Sequence, residues 1–101
     1  MSLDFHRLDN NEYLFGLDEK QIHALADIFD SFKQRTGLII DPYGKFQLTV
    51  ENQQTLTAII EKYIDATDLN KDKGKTSAIL AFKGLLQFFQ HHKIDLKLIG
   101  D

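Results

Sequence analysis

Apolar residues recur along this chain at two periods, and the switches between them divide it into eight elements. Period two comes first. Asp4-Phe5-His6-Arg7-Leu8 and Tyr13-Leu14-Phe15-Gly16-Leu17 flank the polar break Asp9-Asn10-Asn11-Glu12, which predicts strand, turn and strand. Asp18 then stands where a helix N-cap belongs, and Gln21 three residues on completes a capping box. Beyond it Ile22, Leu25, Phe29, Phe32 and Thr36 return every three or four residues, within an arc of about 80° at 100° per residue. Lys20, His23, Asp27, Asp30 and Gln34 fall on the opposite side, and Gly37 is placed to end the helix.

The same reading continues to the last element. Leu38-Ile39-Ile40 and Lys45-Phe46-Gln47-Leu48 predict a second hairpin around Asp41-Pro42-Tyr43-Gly44. Pro42 suits the first central position of a type I turn, and Gly44 suits the positive φ that follows. Thr49 caps a second helix with Leu56, Ile59, Ile60, Tyr63 and Ile64 on one face. Asp68 to Lys75 reads as a solvated turn. A third helix runs from Thr76 to about His92, with Ala78, Ile79, Ala81, Phe82, Leu85, Leu86, Phe88 and Phe89 spread over half its circumference. A stripe that wide predicts the most buried helix, and Gly84 within it predicts a close crossing with another element. Ile94 to Ile99 alternates again and closes the series as a strand. The pattern β-β-α-β-β-α-α-β implies a single α+β domain over residues 1–101, with a largely antiparallel sheet and helices on one face.

Composition adds exclusions. With 43% apolar and 27% charged residues in 101, the chain supports one modest core. It has no Cys, so disulfides, zinc-thiolate sites and thiol catalysis are excluded. No apolar run approaches the roughly 18 to 20 residues that span a bilayer, and no signal-like segment opens the sequence, so a cytoplasmic location is the default expectation. The net charge of −3 is unevenly laid out: residues 1–68 carry twelve acids against six bases, and the remainder three acids against six bases. That layout suits a basic protein partner better than a nucleic acid.

Candidate chemistry is sparse. Asp68-Leu69-Asn70-Lys71-Asp72 opens like a calcium-binding loop, but Lys73 occupies the sixth position, where glycine makes the sharp turn, and Ile79 the twelfth, where a bidentate glutamate belongs. His91 and His92 diverge by about 100° on a helix and do not face one ion. Ser2, Ser31 and Ser77 stand in no nucleophile elbow, and no glycine-rich phosphate loop exists. Lys71, Lys73 and Lys75, followed by Lys83, Lys93 and Lys97, lack the interleaved aromatics of a nucleic-acid surface. No catalytic group, cofactor or metal ligand is assigned. What remains is an acidic ridge, Asp18, Glu19, Asp27 and Asp30, with Glu12 and the hairpin-tip Tyr43 as neighbours, as a partner-binding surface.

In size, acidity and lack of catalytic residues, with the segments Tyr-Leu-Phe-Gly-Leu-Asp at 13–18 and Thr-Gly-Leu-Ile-Ile-Asp-Pro-Tyr-Gly at 36–44, the chain resembles the small immunity proteins of bacterial toxin–immunity pairs. The resemblance implies a non-catalytic, stoichiometric inhibitor that binds a cognate toxin domain. It implies in particular a basic nuclease, whose cleft the acidic ridge occupies in place of phosphates. The alternative from the residues themselves is a self-associating regulatory or structural domain, joined through a sheet edge or an apolar patch.

Overall fold

A computed structural model describes residues 2–41, 43–68 and 70–100. In chain order the elements are β1 (Leu3–Arg7), β2 (Tyr13–Leu17), α1 (Glu19–Ala24), α2 (Ala26–Thr36), β3 (Lys45–Leu48), α3 (Val50–Ala66), α4 (Lys73–His91) and β4 (Leu96–Gly100). The α+β class stands, with every strand pair antiparallel in one sheet of order β2-β1-β4-β3.

The first hairpin forms as the sequence predicts. Asn11 takes the left-handed conformation at φ 60°, and the Asn10 side chain accepts the Glu12 N–H at 2.9 Å, so the Asn-rich break supplies its own turn. Leu3 and Phe5 face the core opposite Leu17 and Phe15, while the register shifts after Phe5 to set His6 against Tyr13 on the outer face. The Phe rings then carry the core across layers. Phe5 stacks on Phe15 at 4.3 Å and meets Phe82 of α4 edge-on at 5.9 Å, and Phe82 in turn meets Phe29 of α2 at 6.0 Å.

The second hairpin does not form. Residues 38–40 adopt no strand, and Leu38 and Ile39 are exposed. β3 pairs instead with β4, from Lys45 opposite Ile99 to Leu48 opposite Leu96. The reason lies in what pins that junction. The Asp95 carboxylate accepts the Val50 N–H at 2.8 Å, and the fully buried Gln53 amide donates to the carbonyls of Leu48 at 3.1 Å and Ile94 at 2.8 Å. These bonds fasten the ends of β3 and β4 to the first turn of α3. The turn preceding β3 is organised by Asp41, whose side chain accepts the Tyr43 N–H. Pro42 lies outside the described residues, and Gly44 does not take the left-handed conformation expected of it.

Four further expectations change. The helix over 19–36 is two helices, broken at Leu25, whose φ of −96° and ψ of 3° leave the helical region. α1 packs on α4 and α2 on α3, a change of direction that one straight helix could not follow, and the buried Leu25 side chain sits at the bend. The capping box of Asp18 with Gln21 and the left-handed Gly37 cap are both present. The last helix begins at Lys73, earlier than expected, because Asp72 caps it by accepting the Lys75 N–H. It is not buried on all sides: Ile79, Phe82, Leu86 and Phe89 face the core, but Leu80, Leu85 and Phe88 are exposed. Nor does anything cross at Gly84, where a Cβ would meet no atom within 4 Å.

α4 ends in a Schellman arrangement, with the Lys93 N–H donating to Gln90 and the Ile94 N–H to Phe89. Lys93 holds the left-handed position at φ 55°, where glycine carries no steric cost. Lys93→Gly therefore raises stability by about 0.5–1 kcal/mol in chemical denaturation, the reverse of the usual effect of glycine. Gln53→Met, which keeps the volume but leaves two buried carbonyls without donors, lowers stability by about 2 kcal/mol in the same measurement.

Candidate functional site

The acids singled out from the sequence fall into three different situations. Asp18 is occupied by its own helix, accepting the Gln21 N–H at 2.8 Å while the Gln21 side chain accepts the Asp18 N–H. Asp27 is occupied across the fold: its carboxylate accepts from the Lys75 ammonium at 3.0 Å and from the Tyr63 hydroxyl at 3.4 Å. Glu12, Glu19 and Asp30 are exposed. Glu19 and Asp27 line one open groove between α1 and the first half of α4, together with Asp72, Ser77, Ala78 and Ala81.

Glu12 and Tyr43 are not neighbours. Glu12 leads into β2 and Tyr43 precedes β3, the two edge strands, and the pairing register aligns the start of β3 with the end of β2. They therefore occupy diagonally opposite corners of the sheet. Tyr43 is 71% exposed, as expected of a turn tip. The six residues do not make one continuous surface.

Asp68 and Asp72, the acids of the calcium-loop look-alike, serve the backbone. Asp68 accepts the Asn70 N–H at 2.9 Å and Asp72 caps α4; Leu69 lies outside the described residues. Among the described residues no three of His, Cys, Asp or Glu gather to hold a metal ion. His92 packs on the Phe88 ring at 4.5 Å, with His91 beside it at 5.1 Å. Among the described residues no helix is long and apolar enough to cross a membrane.

Sequence reasoning missed the ion pair of Asp27 with Lys75, whose lysine lines, with Tyr63, a second cleft of about 390 Å³ between the end of α3 and the start of α4. Lys75 lies 5.6 Å from the Tyr63 ring centroid, and Tyr63 and Asp27 together hold its ammonium above the ordinary lysine range. Lys75, and to a smaller extent Tyr63, hold the Asp27 carboxyl below its ordinary value. Only the opposite charges of Asp27 and Lys75, 48 residues apart, could have hinted at this tie, and nothing in their spacing singles out the pair.

The larger omission is the outward side of α4. Ser77, Ala81, Gly84, Phe88 and His91 lie within about 80° of the circumference, opposite the buried Ile79, Phe82, Leu86 and Phe89, and Leu80 and Leu85 flank them. All seven of these outward residues are exposed. A surface helix normally turns charge to solvent. Lys73 in the first turn is exposed on this side, but further along the helix the charges are turned aside: Lys75 to Asp27, and Lys83 to Glu61 at 3.6 Å. The wide apolar stripe that predicted burial was the available signal. The outer sheet face, by contrast, has polar side chains already engaged, with Lys97 donating to the Asn11 side chain at 3.4 Å and His6 against Tyr13 at 5.5 Å.

Asp27→Asn isolates the contribution of the surface tie. A carboxyl with a lowered folded-state pKa stabilises above its unfolded value and loses that contribution as pH falls through the folded value. The expected deficit of the variant is about 0.5 kcal/mol near neutral pH, given the exposure of the pair, or roughly 2–4 °C in melting temperature. It shrinks toward zero as thermal melts are taken down to about pH 2.

No protein-family model matches this chain, and neither a curated protein nor a solved structure matches it.

Proposed function

We propose that this chain is a non-catalytic protein-binding module that acts by stoichiometric capture of a protein partner. The observation that carries this reading is the outward side of α4. Leu80 is 46%, Leu85 37% and Phe88 55% exposed, on a helix with no charge turned to solvent between them. Large apolar side chains grouped on a polar-rimmed surface gain free energy only when something covers them.

The specific form of the proposal is inhibition of a cognate toxin domain in the cytoplasm. Phe88 and Leu85 act as the apolar anchor, and Glu19 and Asp30 steer a basic partner toward it. Asp27 is already committed to Lys75 and contributes less to steering than the sequence suggests.

The test is co-expression with the product of the adjacent gene, scored by growth and by the mass of any complex. The expected result is rescue of a toxic neighbour and a one-to-one complex. Phe88→Glu weakens that complex by at least about thirtyfold. Paired Glu19→Lys and Asp30→Lys changes act mainly on association rate and its salt dependence. A harmless neighbour that forms no complex removes the inhibitor reading, and a complex indifferent to Phe88→Glu removes α4 as the docking surface.

A further inference from the structure

We infer that the outer face of the sheet, turned away from the core, binds single-stranded nucleic acid. One amino-bearing base stacks on Tyr13, and the adjoining phosphate meets Lys97. This face is separate from α4, and the inference stands apart from the docking role of that helix.

The site is built around a missing side chain. Gly16 pairs with Asp4, and a Cβ on it would stand 2.9 Å from Asp4 Oδ1 and 3.0 Å from the Tyr13 hydroxyl. Tyr13 lies three residues earlier on the same strand, so its side chain runs along β2 into the space that glycine leaves open. The residue is 57% exposed, and His6 stands beside the ring at 77° and 5.5 Å. An exposed ring laid along a sheet is a platform on which a base stacks.

The groups around that ring match the rest of a nucleotide. Among the described residues no donor hydrogen-bonds to the Asp4 carboxylate, which presents acceptors to the exocyclic amino group of a stacked cytosine or adenine. Asp4 and Lys97 are diagonal neighbours on β1 and β4, with Cα atoms about 7–8 Å apart. An acceptor for the base and a cation for its phosphate therefore stand at the two ends of one nucleotide. Lys97 gives one hydrogen bond of 3.4 Å to Asn11 Oδ1, and its ammonium carries three donors. His6 is oriented by Nδ1 donating to the Asn11 carbonyl at 3.1 Å, which leaves Nε2 as a further acceptor. Along the chain Lys97 has no aromatic neighbours; the register supplies them from β1 and β2.

The shape of the face favours a strand over a small molecule. The row Tyr13, His6, Lys97, Gln47 crosses all four strands, a span of about 14 Å. Small ligands take concave sites, whereas a flat sheet suits a chain laid across it. Lys45, at the far edge, reaches a second phosphate. Among the described strand residues Asp4 is the one acid, against Lys45, Lys97 and the Asp9-bound Arg7, while the exposed Glu12 borders the hairpin end. With two lysines for phosphates, binding is weak, is carried mainly by stacking, and has a shallow salt slope of about −1.4.

Fluorescence anisotropy of the full chain with short labelled single strands, both RNA and DNA, tests this at low salt. Oligomers of cytosine and of adenine should bind at least about fivefold tighter than those of uracil or thymine. Tyr13→Ala should weaken binding about tenfold or more. Asp4→Asn should erase the preference between bases, and Lys97→Gln should reduce the salt slope by about 0.7. Gly16→Ala displaces only the ends of two side chains, so it should keep the circular dichroism spectrum of the parent while losing binding as Tyr13→Ala does. Phe88→Glu, on α4, should leave the affinity unchanged.

A chain that binds no single strand overturns the inference, as does binding unaffected by Tyr13→Ala or lost on Phe88→Glu. Uracil and thymine oligomers bound as tightly as cytosine ones overturn it as well. So do duplexes or free mononucleotides bound as tightly as the single strands. None of these results touches the complex with the adjacent gene product, so this inference and the protein-binding reading fail separately.

Discussion

The side-chain amide of Gln53 holds together the part of the fold that no local signal specifies. From the first turns of α3 it donates to the carbonyl that ends β3 and to the carbonyl that precedes β4, while Asp95 accepts a backbone N–H at the start of α3. Its backbone carbonyl accepts from Gln90 and Thr57, which brings the end of α4 into the same network. Both side-chain acceptors are carbonyls, so the amide nitrogen must point at them, and Gln53 Oε1 is left buried without a partner. A polar group in that position carries a desolvation cost, offset by satisfying two other buried carbonyls. With it in place β4 enters between β1 and β3, and the sheet acquires the central strand on which its order depends.

This explains which parts of the fold were legible. Residues whose structure follows from neighbours a few positions away behaved as the sequence predicts: the Asn11 turn, the Asp18–Gln21 capping box, the Gly37 cap and the Thr49 cap. The α+β class followed from the alternation of the two periods. Two local expectations failed, the positive φ at Gly44 and the start of α4, which the Asp72 cap sets at Lys73; the larger failures were non-local. Leu38-Ile39-Ile40 has strand-forming composition, but β4 offers β3 the partner that residues 38–40 would have supplied. The break at Leu25 is equally invisible in the stripe, because a stripe records which face is buried and not whether that face must turn toward two different helices.

The candidate surface shows a related limit. Apolar residues over half the circumference of α4 read as deep burial, and the sequence cannot say whether the burial is supplied by the chain itself or by a partner. The structure covers one half of the helix and leaves the other to solvent. The acids failed in the opposite sense. Asp18 and Asp27 look available along the sequence, but each is engaged, one by its own helix and the other by Lys75 and Tyr63. A charged residue is free to meet a partner only when the fold has not already found it one.

The central position of β4 also has a consequence during synthesis. Leu3 pairs with Gly100, and β3 has no neighbour other than β4, so the sheet depends on contacts between the first and last elements in chain order. Until residues 96–100 leave the ribosome, the nascent chain holds an isolated two-stranded hairpin and an unpaired four-residue segment, neither of which is stable alone. Its helices meanwhile have half a sheet to pack against, and β1 presents an open edge. The last five residues of the sheet act as a key inserted after the lock is assembled, so this domain folds after translation of its final strand and not progressively along the chain.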